Sequence, residues 1–583
     1  MSNQLFARKN LKALLAEAEG DNRLKRVLGP VTLTSLGVGA IIGAGIFVAT
    51  GAAASETAGP ALMLSYVIAG MTCIFAAMCY AEFASMAPVA GSAYTYAYCT
   101  MGELFAWIIG WDLVLEYAVG AATVANGWSG YFQTVLGKFG IIVPMALCAA
   151  PMTYDEGAFR SHVFAEYRTT VKDKDGTTVK DKDGKEVMKT VRATHKLIES
   201  KDAAGKGTGE RTLKWVDASN AKNILGDVGD KGVEKQFDTV QQAMVNLPAI
   251  LIVLIVTAVL IKGISESARF NALMVFIKVT AVLFVILVGA FYINPENWVP
   301  FAPWGYGGFS FFGIETLTFG DMNASGKPRG VLAGAAIIFF AYIGFDSVST
   351  HAEEAKNPRR DVPIGIIASL VICTILYIAV VAVLTGMVKY FDIDKDAGVS
   401  SAFEKIDLKW AEFIIAAAGV AGITSVLLVL MLSGPRVFLA MARDGLVPKA
   451  FFADVHPKFQ TPWKSTIAIG IFVMIMAGLL PIDALLHLTN IGTLFAFAIV
   501  CGAVLIMRKT NPNAERPFRC PLVPVVPVLG ILLCLMLMMS LPADNWYRLL
   551  GWLALGLVIY FCYGKYHSTL GKELAASTPH GAK

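Results

Sequence analysis

The chain has 583 residues, 56% of them hydrophobic and 16% charged, with a mean hydropathy of +0.59 and a formal net charge of +5. Soluble proteins carry about 25% charged residues, so this composition excludes an ordinary soluble globular domain and defines a multi-spanning membrane protein. Nucleic acid is not among the expected partners, whereas membrane lipid is.

Apolar runs measured against the roughly 20 residues needed to cross a bilayer give about twelve spans. They fall near 31–54, 60–87, 102–135, 244–262, 270–292, 331–350, 363–388, 411–440, 466–481, 484–507, 524–541 and 546–564. Residues 1–30 form an arm with an amphipathic stretch, LFARKNLKALLAEAE, that either lies at the membrane surface or is a solvated helix with a few leucines packed on the protein. Lys and Arg collect before the first span and in alternate loops, at Lys356, Arg359 and Arg360, at Arg443, Lys449 and Lys458, and at Arg508, Lys509, Arg516 and Arg519. Short cytoplasmic loops gather such charges, so both termini are expected in the cytoplasm, with residues 565–583 as a tail. The nine cysteines lie mainly in apolar runs and read as small core residues, without disulfide or zinc spacing.

The first span contains GVGAIIGAGIFVATG, Gly37 to Gly51, with five glycines where a spanning helix would place side chains. A broken helix is expected there, and broken backbone at membrane depth is tolerated only where protein or a cavity replaces the missing partners. After the second span, Pro88, Gly91 and several tyrosines mark a turn and a short interfacial helix, with Glu82 and Glu103 reading as interfacial or cytoplasmic charges. Glu116 lies well inside the third span, where a carboxylate faces a cavity or a partner. Residues 31–138 therefore carry the first three spans, 139–243 a polar insertion, and 244–564 the remaining spans. An odd number of spans precedes the insertion, which places it outside the cell. Its two KDKDG segments, at 172–176 and 180–184, suit Asp-Gly hairpin turns in a β-rich domain and lack the closing Glu of an EF-hand. Lys278, in the fifth span, either snorkels to the cytoplasmic edge or holds a cation site shut. PWGYGGFSFFG at 303–313 reads as an ordinary outer loop.

The sixth span, within IIFFAYIGFDSVSTHAEEAKNPRRDVP, is interrupted at Gly344, with Asp346 two residues on. The first and sixth spans open two blocks of five, and a break in each is the trace of an inverted repeat with its binding site between them. The outer half of the first span starts at its break, so Gly43, Ala44 and Gly45 present free N–H groups and the positive end of a helix dipole to an anion. The outer half of the sixth ends at its break, leaving carbonyls of Phe340, Ala341 and Ile343 to accept from an ammonium. Carboxylate donors facing ammonium acceptors describe an α-amino acid site.

The stretches IIGAGIF at 41–47, GWDLVLEY at 110–117, FIKVTAVL around Lys278, FFAYIGFDSVSTHAEEAKNPRRDVPIGI at 339–366 and PRVFLAMARDGLVP at 435–448 resemble the amino acid–polyamine–organocation superfamily, and most closely its bacterial cationic-amino-acid-transporter branch. The resemblance implies an all-α five-plus-five inverted-repeat fold in the bacterial inner membrane, and proton-linked or exchange transport of a neutral or cationic L-amino acid. It assigns Ile42, Gly43, Ala44 and Gly45 to the substrate carboxylate, Phe340, Ala341 and Ile343 to its ammonium, and Glu116 to the pocket. It puts Lys278 where sodium-coupled relatives bind sodium. With Asp346, Lys278 is the expected proton-coupling charge, while Thr424, Ser425 and Leu427 are expected wall residues. The outer insertion is not typical of that family, and eukaryotic members commonly carry further C-terminal spans. No P-loop, hydrolase motif, metal-ligand spacing or cofactor motif is present, so neither a pump nor an enzyme is expected. A transporter-like sensor that reads its ligand through the insertion is the alternative, and an accessory membrane protein is an allowed partner of unknown identity.

Overall fold

The computed structural model describes residues 2–10, 28–43, 45–87, 91–155, 158–170, 188–201, 207–215, 239–262, 264–313, 318–322, 328–393, 398–459 and 461–577. Most of the amphipathic arm, both KDKDG segments and Ala44 of the first break lie outside the described residues. Among those described, eight helical stretches are long and apolar enough to cross a membrane, and three shorter apolar helices accompany them. The molecule is thus an all-α membrane protein with a β insertion.

The first of the eight stretches, Pro30–Met86, is not one rod. Helix α1, Pro30–Ile41, starts on a proline that has no N–H to leave unpaired, and it ends where Ile42 turns to extended backbone at ψ 107°. Helical structure resumes at Gly45–Ala49 and continues through Thr50–Ala53 and Ala54–Ala58. Gly59, at φ +61°, then reverses the chain into α2, Leu62–Met86. The short α3, Ala93–Thr100, leads into α4, Glu103–Lys138. Beyond the insertion come α5, Leu247–Lys262, and α6, Ile264–Gly289. Helix α7, Val331–Ile338, runs into a tight turn at Phe339–Tyr342, and the chain continues to α8, Pro358–Met387, and α9, Gly398–Lys405. The set closes with α10, Lys409–Arg443, α11, Trp463–Leu479, α12, Ile482–Thr510, α13, Val525–Met539, and α14, Ala543–Ile559. Helix α4 packs on α10 and α12, and α8 packs on α1 and α2. Val331–Thr350 is the most buried of the candidate spans, which puts its break in the middle of the protein.

Among its described residues the insertion contains five antiparallel strands: β1, Met152–Asp155; β2, Ala158–Thr170; β3, Met188–Lys201; β4, Gly207–Trp215; and β5, Thr239–Gln242. They run in the order β1-β2-β3-β4, with β5 also paired to β2. Both β1 and β5 pair with β2, through Ser161↔Met152 and Val163↔Gln242, so the entering and leaving chains come together. The Ala146 carbonyl accepts from Met244 N at 2.8 Å, and Asn246 N donates to Gly478 O at 3.0 Å, which ties that junction to the end of α11.

Two acidic residues expected as interfacial or cytoplasmic charges are buried hubs. Glu82, 1% exposed, accepts two bonds from Arg508, at 2.9 and 2.7 Å, one from Arg516 Nε at 3.2 Å and one from Cys520 N at 2.8 Å. Arg516 also donates to the carbonyls of Asn511, Pro512 and Ala514, so the carboxylate fastens the 511–520 loop to α2. Glu103, fully buried, accepts from Gln4, Tyr98, Tyr560 and Ser568 and so joins both chain ends to the start of α4. Apart from Tyr98, five residues before Glu103, these partners lie in segments distant along the chain, so sequence neighbours do not reveal them. Eight of the nine cysteines are buried and Cys562 is exposed.

Glu82→Ala strands the nearly buried Arg516 without its carboxylate. Loss of one member of a buried pair costs about 3–5 kcal/mol, so the detergent-solubilised variant is expected to melt well below wild type. A melting curve that superimposes on wild type would contradict this assignment.

Candidate substrate site

The two breaks touch. A Cβ placed on Gly45 would lie 2.1 Å from Ala341 Cα, and one on Gly43 would lie 2.3 Å from Val426 Cγ2 of α10. In the sixth span the turn Phe339–Tyr342 ends as Ile343 becomes extended, and Gly344 takes φ +112°, a conformation that side chains with a Cβ rarely adopt. A Cβ there would also come within 2.8 Å of Ala40 Cβ. The short helix Ser347–Thr350 follows. Ile42, Gly43, Gly45, Phe340, Ala341 and Ile343 are all buried, so a ligand reaches them only after the helices rearrange.

The broken backbone is held by side chains from the surrounding helices. Lys278, fully buried on α6, donates from Nζ to Gly39 O at 2.6 Å, Ile42 O at 2.7 Å and Ser425 Oγ at 2.7 Å. The Ser425 hydroxyl itself lies 3.1 Å from Gly39 O and 3.0 Å from Gly422 O. Lys278 therefore does not snorkel, because its ammonium replaces the hydrogen-bond partners that α1 loses on ending. Ser425, expected in the pocket wall, is the third oxygen of this cradle. Thr424 accepts from Trp128 Nε1 at 2.9 Å, and Leu427 is fully buried on the same helix.

Tyr377, on α8, stands with its hydroxyl 2.8 Å from Ile41 O and 3.0 Å from Ala341 O, offering its one proton to both breaks. Tyr131 donates to Phe47 O at 2.6 Å. Thr50 donates to Gly45 O at 3.2 Å, Tyr66 then donates to Thr50 at 2.7 Å, and Tyr342 donates to Tyr66 O at 2.9 Å. Asn490, on α12, caps the end of α7 through the carbonyls of Ala336 at 3.0 Å and Ile337 at 3.1 Å. Among the ammonium-loop carbonyls, Phe340 O accepts from Ile343 N at 3.3 Å and Ala341 O is the one facing Tyr377. None of these tyrosines, nor Asn490, was singled out from sequence. A tyrosine within an apolar span has no spacing signature that separates a core ring from a backbone ligand.

Asp346 does not join the Lys278 cradle. One of its carboxylate oxygens accepts from Tyr117 on α4 and the other has no partner among the described residues. Glu116 is buried with the Thr493 hydroxyl as its one hydrogen-bonding neighbour among the described residues, and that hydroxyl donates to Thr489 O at 3.1 Å. The two residues expected to carry coupling thus occupy separate places, Lys278 at the first break and Asp346 with the acidic face of α4.

Residues 28–559 match the amino acid permease family, and the chain belongs to it, as an amino acid–polyamine–organocation transporter of the cationic-amino-acid-transporter type. It is 40% identical to the branched-chain amino acid permease of Bacillus subtilis over 573 residues, covering 98% of this chain and all of the relative. It is 37% identical to the methylthioribose transporter of the same bacterium, with 98% of this chain and all of the relative covered. A vacuolar cationic amino acid transporter 4 of Arabidopsis thaliana is 33% identical, with 88% of this chain and 68% of the relative covered. The family match and the transporter-named relatives make this bundle, with its two touching broken helices, a membrane transporter.

The contact between Gly45 and Ala341 makes a sharp test. Gly45→Ala adds a methyl group where Ala341 backbone already stands; overpacking of this kind costs about 1–3 kcal/mol. The variant is expected to lose the thermal stabilisation that a transported amino acid gives wild type, while still inserting in the membrane. Full ligand-induced stabilisation in Gly45→Ala would contradict the placement of the breaks.

Proposed function

We propose that this amino acid transporter works by alternating access, with twelve spans, a five-plus-five inverted repeat and both termini in the cytoplasm of a bacterium. The amino acid carboxylate binds the N–H groups of Ile42, Gly43, Ala44 and Gly45, helped by the dipole of the outer half-helix. Its ammonium binds carbonyls of Phe340, Ala341 and Ile343, while Glu116 and Leu427 belong to the pocket wall. Transport is sodium-independent and linked to protons or to exchange, with Lys278 and Asp346 as the coupling charges. The observation that carries the reading is the lysine ammonium bound to Gly39 O, Ile42 O and Ser425 Oγ at the first break, in the place of a dissociable cation.

The substrate is a neutral or cationic L-amino acid. The relative named for branched-chain substrates and the apolar Leu427 support a neutral side chain, while the relatives named for cationic amino acids and the carboxylate of Glu116 support a cationic one. The branched-chain reading is the better supported, because that similarity covers the whole relative and is the higher in identity. The strands of residues 152–242 stand apart from the breaks in sequence and form an accessory outer domain.

Labelled leucine in sodium-free proteoliposomes, challenged with unlabelled isoleucine, alanine, lysine, arginine or methylthioribose, tests the substrate. Uptake is expected, with isoleucine competing at least tenfold better than arginine and methylthioribose weakest. Stronger competition by arginine or methylthioribose would reassign the substrate, and binding without accumulation would favour a sensor. Replacing residues 155–236 by a short Gly/Ser linker is expected to preserve transport; a well-folded deletion that loses substrate affinity would instead give the outer domain a capture role.

A further inference from the structure

Asp112 lies one turn before Glu116 on α4, so the two carboxylates share a helix face. Both side chains are buried, at 0% and 1% exposure; Asp112 has no hydrogen-bond partner among the described residues, and Glu116 has only the Thr493 hydroxyl beside it. Asp112 sits against α12 at a glycine: a Cβ on Gly492 would lie 2.8 Å from its Oδ1, so the helix leaves room for the carboxyl only because that residue is Gly. The charged neighbours of Glu116 are Asp112 and Asp346. From α2, the Tyr80 hydroxyl, fully buried and itself without a partner, has Asp346 and Glu116 as neighbours. Tyr117 completes the group through its bond to Asp346. The titratable groups facing this pocket among the described residues are thus Asp112, Glu116 and Tyr117 from α4, Tyr80 and Cys73 from α2, Tyr96 from α3 beside Tyr80, Cys501 from α12 beside Tyr80, and Asp346 from the sixth span. Arg436, the buried arginine on α10, is paired with Glu354 at 2.6 Å.

Three carboxylates without a basic partner cannot all be ionised in a dry interior, because an unpaired buried charge is far costlier than its neutral form. The ligand that this arrangement requires is a proton. Position along α4 gives it a direction: Asp112 lies nine residues from Glu103, about 13 Å at roughly 1.5 Å per residue, and Glu116 lies one turn further in. Glu103 is where both chain ends meet the helix. Asp112 therefore stands between Glu116 and that face of the protein.

We propose that Asp112 is a proton-carrying residue of the transport cycle, protonated in this closed conformation, and that it hands protons from the Glu116–Asp346 pocket to water on the side where the chain ends meet. The O–H bond of the neutral acid breaks when α4 and α12 part and water enters, the proton passes to that water, and the carboxylate is left solvated. When the helices close again the carboxylate must regain a proton or find a cation. This deepens the proton-linked reading above and rests on it.

Asp112→Asn keeps the shape of the side chain but cannot release a proton. In proteoliposomes, an inside-alkaline pH step should raise amino acid accumulation in wild type, and the variant should lose at least tenfold of that accumulation. Substrate-induced thermal stabilisation should survive in the variant, since Asp112 touches neither break, which separates lost coupling from lost folding. The infrared spectrum of wild type at neutral pH should also contain a protonated-carboxyl stretch that weakens in Asp112→Asn. Accumulation that responds to pH equally in both proteins overturns the role of Asp112 while leaving proton-linked transport standing. A wild type that ignores the pH step overturns both. Absence of a protonated-carboxyl band in wild type overturns the proposal whether or not the variant folds.

Discussion

The structure depends on one ammonium group. A membrane helix that stops at Ile41 exposes carbonyls that cannot reach water, and each unsatisfied group in hydrocarbon costs several kcal/mol. Lys278 meets that demand with a charge-assisted donor to Gly39 and Ile42, and it shares Ser425 with the same carbonyl. Because the ammonium is tethered to α6 and the hydroxyl to α10, the contact also joins the first span to both helices. The stem of the lysine passes close to α10, where a Cβ on Gly422 would lie 3.1 Å from Lys278 Cβ. A bound metal cation would leave during the cycle, whereas a lysine side chain stays and moves with its helix.

Around this point the two breaks behave as one unit. Gly45 lets the first break lie on Ala341 of the second, Gly344 lets the second turn against Ala40, and Tyr377 shares its proton between carbonyls of both. The rings of Tyr66, Tyr342 and Tyr377 pack with centroids 5.4 to 6.1 Å apart, so the donors that serve the breaks also brace one another. Exposing the backbone of the two breaks therefore requires several bonds to change together.

The first break was legible because five glycines inside an apolar run contradict a continuous helix, and the second because Gly344, with Asp346 two residues on, falls at the corresponding place in the second block of spans. Lys278 was legible as an intramembrane charge but not as a backbone ligand, since only packing separates a lysine that reaches the surface from one with no exposure. The burial of Glu82 and Glu103 was not legible for a related reason. Hydropathy places a residue at a depth, while most of the partners that bury these two carboxylates come from residues hundreds of positions away. Ser425 was read as pocket wall because its helix was known and its neighbour was not. Asp112 had a signal, an acid four residues before Glu116 in one span, yet its importance emerges only when both carboxylates prove buried without a basic partner among the described residues. Ala44 lies outside the described residues, so the carboxylate loop is seen through Ile42, Gly43 and Gly45.

The central claim is that the Lys278 ammonium does the work of a bound cation at the first break. The most direct measurement compares amino acid uptake by wild type and Lys278→Ala in sodium-free proteoliposomes, with and without an inside-alkaline pH step. If the lysine replaces the cation, wild type transports without sodium and accelerates with the step, while Lys278→Ala loses that response. Strict sodium dependence in wild type, or an unaltered pH response in the variant, would contradict it.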